Sequence, residues 1–213
     1  MHALVVAGGD SNDLPESTAV LGSWDMVVCA DGGVHNAHRL GLQPDLIIGD
    51  LDSLGTEERQ GLLQAGIRFD VHPIAKDETD LELALLWCAR QHVSQLTLLG
   101  ALGGRPDHML ANLLLLSDRR LSGIEICLRS RDWQVWLARH DLTIAGAGGD
   151  AVSLIPLSSR VTKVRTEGLE YPLRAETLYR GPARGVSNVM LGVQARVAFD
   201  EGILVVMHGP PQD

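Results

Sequence analysis

Leu46-Ile47-Ile48-Gly49-Asp50-Leu51-Asp52-Ser53 is a short apolar run that stops at a glycine and then releases two carboxylates. The same arrangement recurs on either side of it. Upstream, Met26-Val27-Val28-Cys29-Ala30 ends at Asp31-Gly32-Gly33, and Ala3-Leu4-Val5-Val6-Ala7 ends at Gly8-Gly9-Asp10. Downstream, Leu96-Thr97-Leu98-Leu99 ends at Gly100-Ala101-Leu102-Gly103-Gly104. Unbroken apolar strands are buried on both faces, which is the signature of a parallel sheet covered by helices. The helices are legible between them. Thr79-Asp80-Leu81-Glu82 fits a capping box, with Thr79 as N-cap and Glu82 three residues on. Leu81, Ala84, Leu85 and Cys88 then form one apolar stripe at helical spacing. A second helix starts at Pro106, a residue suited to the first turn, and its stripe includes Leu110, Leu113 and Leu114. A weaker helical pattern covers residues 57–65.

Past about residue 121 the texture changes. Short strand-like runs at 124–128, 134–137, 152–155, 161–164, 193–199 and 203–207 are separated by Gly, Pro, Ser and Asp, and no long helical stripe appears. Residues 145–150 read as a flexible link or hairpin turn. The expected organisation is an α/β N-terminal domain with a mostly parallel sheet over residues 1–122, followed by a smaller all-β domain over 123–213.

Composition narrows the function classes. Of 213 residues, 45% are hydrophobic and 21% charged, so a packed core is expected; aromatics, at 4%, leave that core to Leu, Val, Ile and Ala. A formal net charge of −9 argues against nucleic acid as a partner, because phosphate backbones select basic faces. It leaves room for an anionic ligand if a divalent cation reverses the local field. Cys29, Cys88 and Cys127 form no C-x-x-C pair and read as buried free thiols of a reducing compartment. The chain begins as a strand, not a signal peptide, and no apolar run reaches bilayer length. A soluble cytoplasmic protein with no membrane partner is expected.

Every polar cluster of the first domain follows a strand, where doubly wound sheets bind ligands. Asp50 and Asp52, on extended backbone, would point to one side and suit Mg²⁺, a hard cation that shares its shell with phosphates. In Lys76-Asp77-Glu78-Thr79-Asp80, Asp80 is explained either as a first-turn acid favoured by the helix dipole or as a third metal ligand, and Lys76 as a phosphate contact. In Gly103-Gly104-Arg105-Pro106-Asp107-His108, glycines let backbone approach a phosphate, a helix N-terminus follows, and Arg105 can grip phosphate oxygens in bidentate fashion. Asp107 can hold metal or orient a nucleophile, while His108 reads as a helix-surface or packing residue. Gly9, Asp31 and Gly32 belong to tight turns that either only reverse the chain or face a ligand. No G-x-x-x-x-G-K-[ST] loop occurs, and no G-x-G-x-x-G follows the first strand.

Taken in order, Ala30-Asp31-Gly32-Gly33, the run from Pro44 to Ser53, Lys76 to Asp80 and Gly100 to His108 resemble four successive motifs of the thiamine pyrophosphokinase family. Gly168-Leu169-Glu170-Tyr171-Pro172-Leu173 and Gly185-Val186-Ser187-Asn188 resemble its C-terminal motifs. The resemblance implies a C-terminal β-sandwich and a homodimer with active sites at the interface. It implies transfer of pyrophosphate from ATP to the hydroxyl of thiamine, with Mg²⁺ held by Asp50, Asp52 and Asp80. Asp80, Arg105 and Asp107 would serve catalysis. Gly9, Asp31, Gly32, Lys76, Gly103, Gly104 and Arg105 would bind ATP, and Ser187 and Asn188 would bind thiamine. The aromatic partner of the thiamine rings is left open. Competing readings are a pyrophosphokinase for another hydroxymethyl heterocycle such as a pterin, a D-x-D glycosyltransferase, a haloacid dehalogenase-type phosphatase, and a non-enzymatic nucleotide- or thiamine-binding module. The glycosyltransferase does not account for the acidic helix start, and the phosphatase would carry its D-x-D after the first strand.

Overall fold

The structure, a computed structural model, describes residues 1–211. The chain divides into two compact units, Met1–Arg131 and Asp132–Asp213. The division falls nine residues beyond the expected one, because the strand expected to open the all-β unit closes the sheet of the first.

The first unit runs β1 (His2–Val6), β2 (Met26–Ala30), α1 (Gly33–Arg39), β3 (Leu46–Gly49), α2 (Thr56–Gln64), β4 (Arg68–Val71), α3 (Asp80–Arg90), β5 (Gln95–Leu99), α4 (Pro106–Leu115) and β6 (Glu125–Arg129). Its six strands lie in the order β6-β5-β1-β2-β3-β4, and every pairing is parallel. The chain steps outward from β1 to β4, then returns to the other side of β1 for β5 and β6. The sequence order therefore reverses at β1, and a crevice opens at the carboxyl ends of β1, β2 and β5. Burial explains the apolar runs: in β1, Ala3, Leu4, Val5 and Val6 are wholly buried, as are Ile47 and Ile48 of β3. The α3 stripe of Leu81, Ala84, Leu85 and Cys88 is buried, and Thr79 caps that helix by accepting the Glu82 N–H at 3.1 Å. The α4 stripe behaves differently. The helix forms where expected, but none of its residues is buried, and Leu110 is 57% and Leu114 49% exposed.

The second unit runs β7 (Gln134–Ala138), β8 (Leu142–Ala145), β9 (Ala151–Pro156), β10 (Arg160–Glu167), β11 (Arg174–Tyr179), β12 (Asn188–Val189), β13 (Gln194–Ala198) and β14 (Leu204–Gly209). Its strands pair antiparallel in two runs, β12-β9-β14-β7 and β11-β10-β13-β8. Alternate residues of each, including Val152, Leu154 and Val206 from one and Val161, Ile144 and Val197 from the other, share a single core. That is the packing of a β-sandwich. The expected link at 145–150 is a tight turn between β8 and β9, fixed by side chains. Asp150 accepts the Ala147 N–H at 2.8 Å and lies 2.8 Å from His208 Nε2, whose ring stacks on Trp136. Two of the three cysteines, Cys29 and Cys88, are buried and burial pushes both thiols up to about 12; Cys127 is half-buried, a departure from the expectation of a fully buried thiol.

The Asp150 carboxyl lies below its ordinary value, first because of the Ala147 N–H and then, against opposing burial, because of His208. A depressed folded-state value stabilises the fold above the unfolded carboxyl value of about 3.9 and is lost as pH falls through the folded one. Asp150→Ala removes the acceptor for both donors and should cost about 1–3 kcal/mol in urea unfolding at neutral pH. The gap from wild type should narrow below about pH 4.

Candidate active site

Carboxylates gather where β2 and β3 end. Asp31 follows β2, Asp50 and Asp52 follow β3, and one carboxylate oxygen from each lies within 4.8 Å of the others. The route to this cluster is not the extended D-x-D expected from sequence. Leu51 adopts a left-handed conformation, with φ of 63°, and its side chain is buried. The turn it makes lets Asp50 Oδ1 accept the Asp52 N–H at 3.1 Å. Asp31 is left-handed too, with φ of 40°, while its own N–H donates to the Ile48 carbonyl at 2.8 Å. Two non-glycine residues held there, both beside the carboxylates, is strain of the kind that accompanies functional sites.

Asp80, the first residue of α3, approaches the same place from above Gly49. A Cβ on Gly49 would lie 2.8 Å from Asp31 Cβ and 3.1 Å from Asp80 Cγ, so glycine is what permits the two acids to flank this strand end. Asp80 is turned toward Lys76: the ammonium lies 3.0 Å from Asp80 Oδ1, 3.2 Å from Asp50 Oδ2 and 3.1 Å from the Pro73 carbonyl. The structure groups Asp50 and Asp52 with Asp31, which the sequence assigned only to ATP, while Asp80, expected as the third metal ligand, stands outside that group and pairs with Lys76.

The electrostatics are those of a site short of positive charge. Asp52 is raised above its ordinary value, first by the charge of Asp50, then by burial, then by Asp31 and Asp80. Asp50 is lowered, first by the Asp52 N–H and, against burial, by Lys76. Asp31 Oδ1 is buried with no hydrogen-bond partner. An all-oxygen set with an unpaired buried acceptor fits a hard divalent cation.

Beside the acids lies a cleft of about 670 Å³. Gly9 after β1, Asp31 and Gly32 after β2, Asp80 of α3, and Gly103, Gly104 and Arg105 after β5 all line it. Gly9 is required by close approach: its Cβ would lie 2.1 Å from the Gly100 carbonyl oxygen, and its N–H donates there at 3.0 Å. Three side chains unnoticed in the sequence shape the cleft. Ser53 and Asn112 line it, and buried Asn36 donates to the Ala7 and Gly9 carbonyls at 2.8 and 3.0 Å, pinning the loop after β1. An asparagine inside a short helix gives no sequence signal that separates it from a surface residue.

Arg105 is 71% and Asp107 62% exposed, and they hold each other through Nη2–Oδ2 at 2.6 Å and Nε–Oδ1 at 3.2 Å. The expected grip on phosphate is therefore engaged on a neighbour at the head of α4. The Arg105 guanidinium is the main reason that Asp107 lies at about 2. A carboxylate so acidic is a poor proton acceptor at neutral pH.

In the second unit, Ser187 is exposed and left-handed, with φ of 60°, and its N–H donates to Ser153 Oγ at 3.1 Å. Asn188 is buried, and its amide is occupied. Oδ1 accepts the Tyr171 and Val189 N–H groups at 3.0 and 2.9 Å, and Nδ2 donates to the Tyr171 carbonyl at 2.7 Å. It ties the Gly185–Asn188 motif to the Gly168–Leu173 motif, which makes it a positioning residue.

Two family descriptions match the chain in order: "Thiamin pyrophosphokinase, catalytic domain" over residues 18–128 and "Thiamin pyrophosphokinase, vitamin B1 binding domain" over 139–204. The chain is 28% identical over 207 residues to thiamine pyrophosphokinase of Bacillus subtilis, covering 96% of each protein. It is 29% identical over 232 residues to thiamine pyrophosphokinase 1 of Arabidopsis thaliana, covering 95% of this chain and 84% of that protein. The crystal structure of the Bacillus subtilis enzyme superposes with a TM-score of 0.88 at 26% identity, covering both chains completely.

Cutting the Arg105–Asp107 pair has a measurable signature. Arg105→Ala should raise the Asp107 carboxyl from about 2 toward the ordinary value near 4. Carbon-detected NMR titration of the Asp107 side chain reads this directly, and an unchanged value would show that the pair does not persist in solution.

Proposed function

The chain belongs to the thiamine pyrophosphokinase family, and on that premise we propose how its own residues carry the reaction. The protein is a transferase that moves a pyrophosphoryl group from ATP to the hydroxyl of thiamine. The observation that carries the residue assignment is the carboxylate cluster opening onto a glycine-lined cleft at the point where strand order reverses.

The hydroxyl oxygen of thiamine attacks the β-phosphorus of ATP. The bond from that phosphorus to the oxygen bridging the α-phosphorus breaks, AMP departs with the electron pair, and the hydroxyl proton passes to solvent. Such transfer depends on alignment and charge neutralisation, with little covalent work for the protein. Asp31, Asp50 and Asp52, with Asp80 beside them, would hold Mg²⁺, which when bound offsets phosphate charge. The backbone of Gly9, Gly32, Gly103 and Gly104 lets phosphate oxygens come close. Arg105, released from Asp107, supplies a planar fork for two phosphate oxygens at the head of α4. Asp107 holds Arg105 in readiness and is not the general base, as its acidity argues. Ser187, exposed, faces thiamine, and Asn188 positions the loop that carries it.

The same reading extends to assembly and compartment. The first unit carries the nucleotide and metal chemistry, and the second contributes to thiamine binding and to the dimer contact. Met109, Leu110 and Leu114 leave an apolar face on α4 that a second copy would cover. Three cysteines outside any disulfide suit the reducing cytoplasm, and among the described residues no helix is long and apolar enough to cross a membrane.

Asp31→Asn, Asp50→Asn and Asp52→Asn should each lower Mg²⁺-dependent AMP release by about 100-fold or more, with melting temperatures close to wild type. Near-wild-type turnover in all three variants would remove the assignment. Light scattering should give twice the chain mass at assay concentration, and an active monomer would contradict the dimer.

A further inference from the structure

Lys76 places a cation inside the acidic site that no substrate delivers. Its side chain is only 12% exposed, and its ammonium reaches three acceptors: Asp50 Oδ2, Asp80 Oδ1 and the Pro73 carbonyl. An ammonium has three protons to donate. Two are donated, to Asp50 Oδ2 and the Pro73 carbonyl, and the ammonium is held beside Asp80 Oδ1 as an ion pair, so its charge is engaged within the protein.

The position matters as much as the pairing. Asp31, Asp50 and Asp52 each bring one carboxylate oxygen to a common place, and the ammonium pairs with Asp50 Oδ2 and Asp80 Oδ1. Asp50 therefore belongs both to the carboxylate group and to the ion pair with Lys76. With four carboxylates and one ammonium, the site keeps roughly three negative charges at neutral pH. One divalent ion brings that close to neutral. A second would face an ammonium in its place and a site with too little charge left to attract it. Lysine suits this task better than arginine, because it is a compact point charge on a flexible stem, whereas a guanidinium is a broad planar fork.

We propose that Lys76 is a built-in counter-cation that fills the position between Asp50 and Asp80 and so limits the nucleotide-free protein to one divalent ion. The inference rests on the metal reading of the Asp31, Asp50 and Asp52 cluster. It gives Asp80 a defined part as the residue that holds Lys76 over Asp50. It also accounts for the folding of a site crowded with like charges when no metal is bound.

The test counts ions on the full-length protein without nucleotide, using Mn²⁺ followed by electron paramagnetic resonance. Wild type should bind about one Mn²⁺ per chain, Lys76→Arg about one, and Lys76→Gln about two. Metal-free Lys76→Gln should also melt lower than wild type and gain more from Mn²⁺ than wild type does. If it folds only with metal, elemental analysis of the protein purified in Mn²⁺ gives the same count. Two ions on wild type, or one ion on folded Lys76→Gln, would overturn the proposal. No Mn²⁺ on wild type would instead remove the metal reading beneath it.

Discussion

Asp31, Asp50, Asp52 and Asp80 repel one another, yet the ends of β2 and β3 and the start of α3 bring them to one place. Like charges a few ångströms apart are unfavourable unless offset. The fold offsets part of this with the Asp52 N–H on Asp50 and with Lys76 across Asp50 and Asp80. What remains unbalanced, an unpaired Asp31 oxygen and an Asp52 raised by its neighbours, is what the proposed cation and, through it, a polyphosphate would meet.

The rest of the first unit makes that crowding possible. Parallel strands with both faces buried end together, so their carboxyl-terminal loops share one rim. Reversal of strand order at β1 parts those loops and leaves the cleft. Gly49 removes the Cβ that would collide with Asp31 and Asp80, and Gly9 lets the loop after β1 touch the one after β5. The strained turns at Asp31 and Leu51 are held by a hydrogen bond to Ile48 and by burial of the Leu51 side chain. Rigidity here serves function, because a phosphoryl-transfer site works by holding groups in line.

The buried strands of the first unit are readable from sequence because their apolar runs answer to burial on two faces. The strands that escape the same reading are β4, β8, β11 and β12, and all four lie at the edge of a sheet. Arg68-Phe69-Asp70-Val71 and Arg174-Ala175-Glu176-Thr177-Leu178-Tyr179 mix charge into the strand, as edges do, and so lose the alternating signal. Helix α1 escapes because seven residues carry too short a stripe. At the site, residue types and spacing are enough to collect the acids, but not their conformation. Asp50 and Asp52 converge through a left-handed Leu51 rather than an extended strand, and a bulky left-handed residue has no sequence signature. Arg105 and Asp107 are legible as a pair of opposite charge at a helix start, while their mutual engagement depends on rotamers that only coordinates show. Asn188 carries a recognisable motif, yet its amide serves Tyr171, which lies 17 residues away in the chain.

The proposed reaction aligns the hydroxyl of thiamine with the β-phosphorus of ATP. Phosphorus NMR of the full-length protein with ATP, thiamine and Mg²⁺ tests it most directly, since each possible product carries a distinct phosphorus pattern. AMP and thiamine diphosphate should appear together in equal amounts. ADP with thiamine monophosphate would mean attack at the γ-phosphorus and contradict it, as would bound nucleotide with no AMP released.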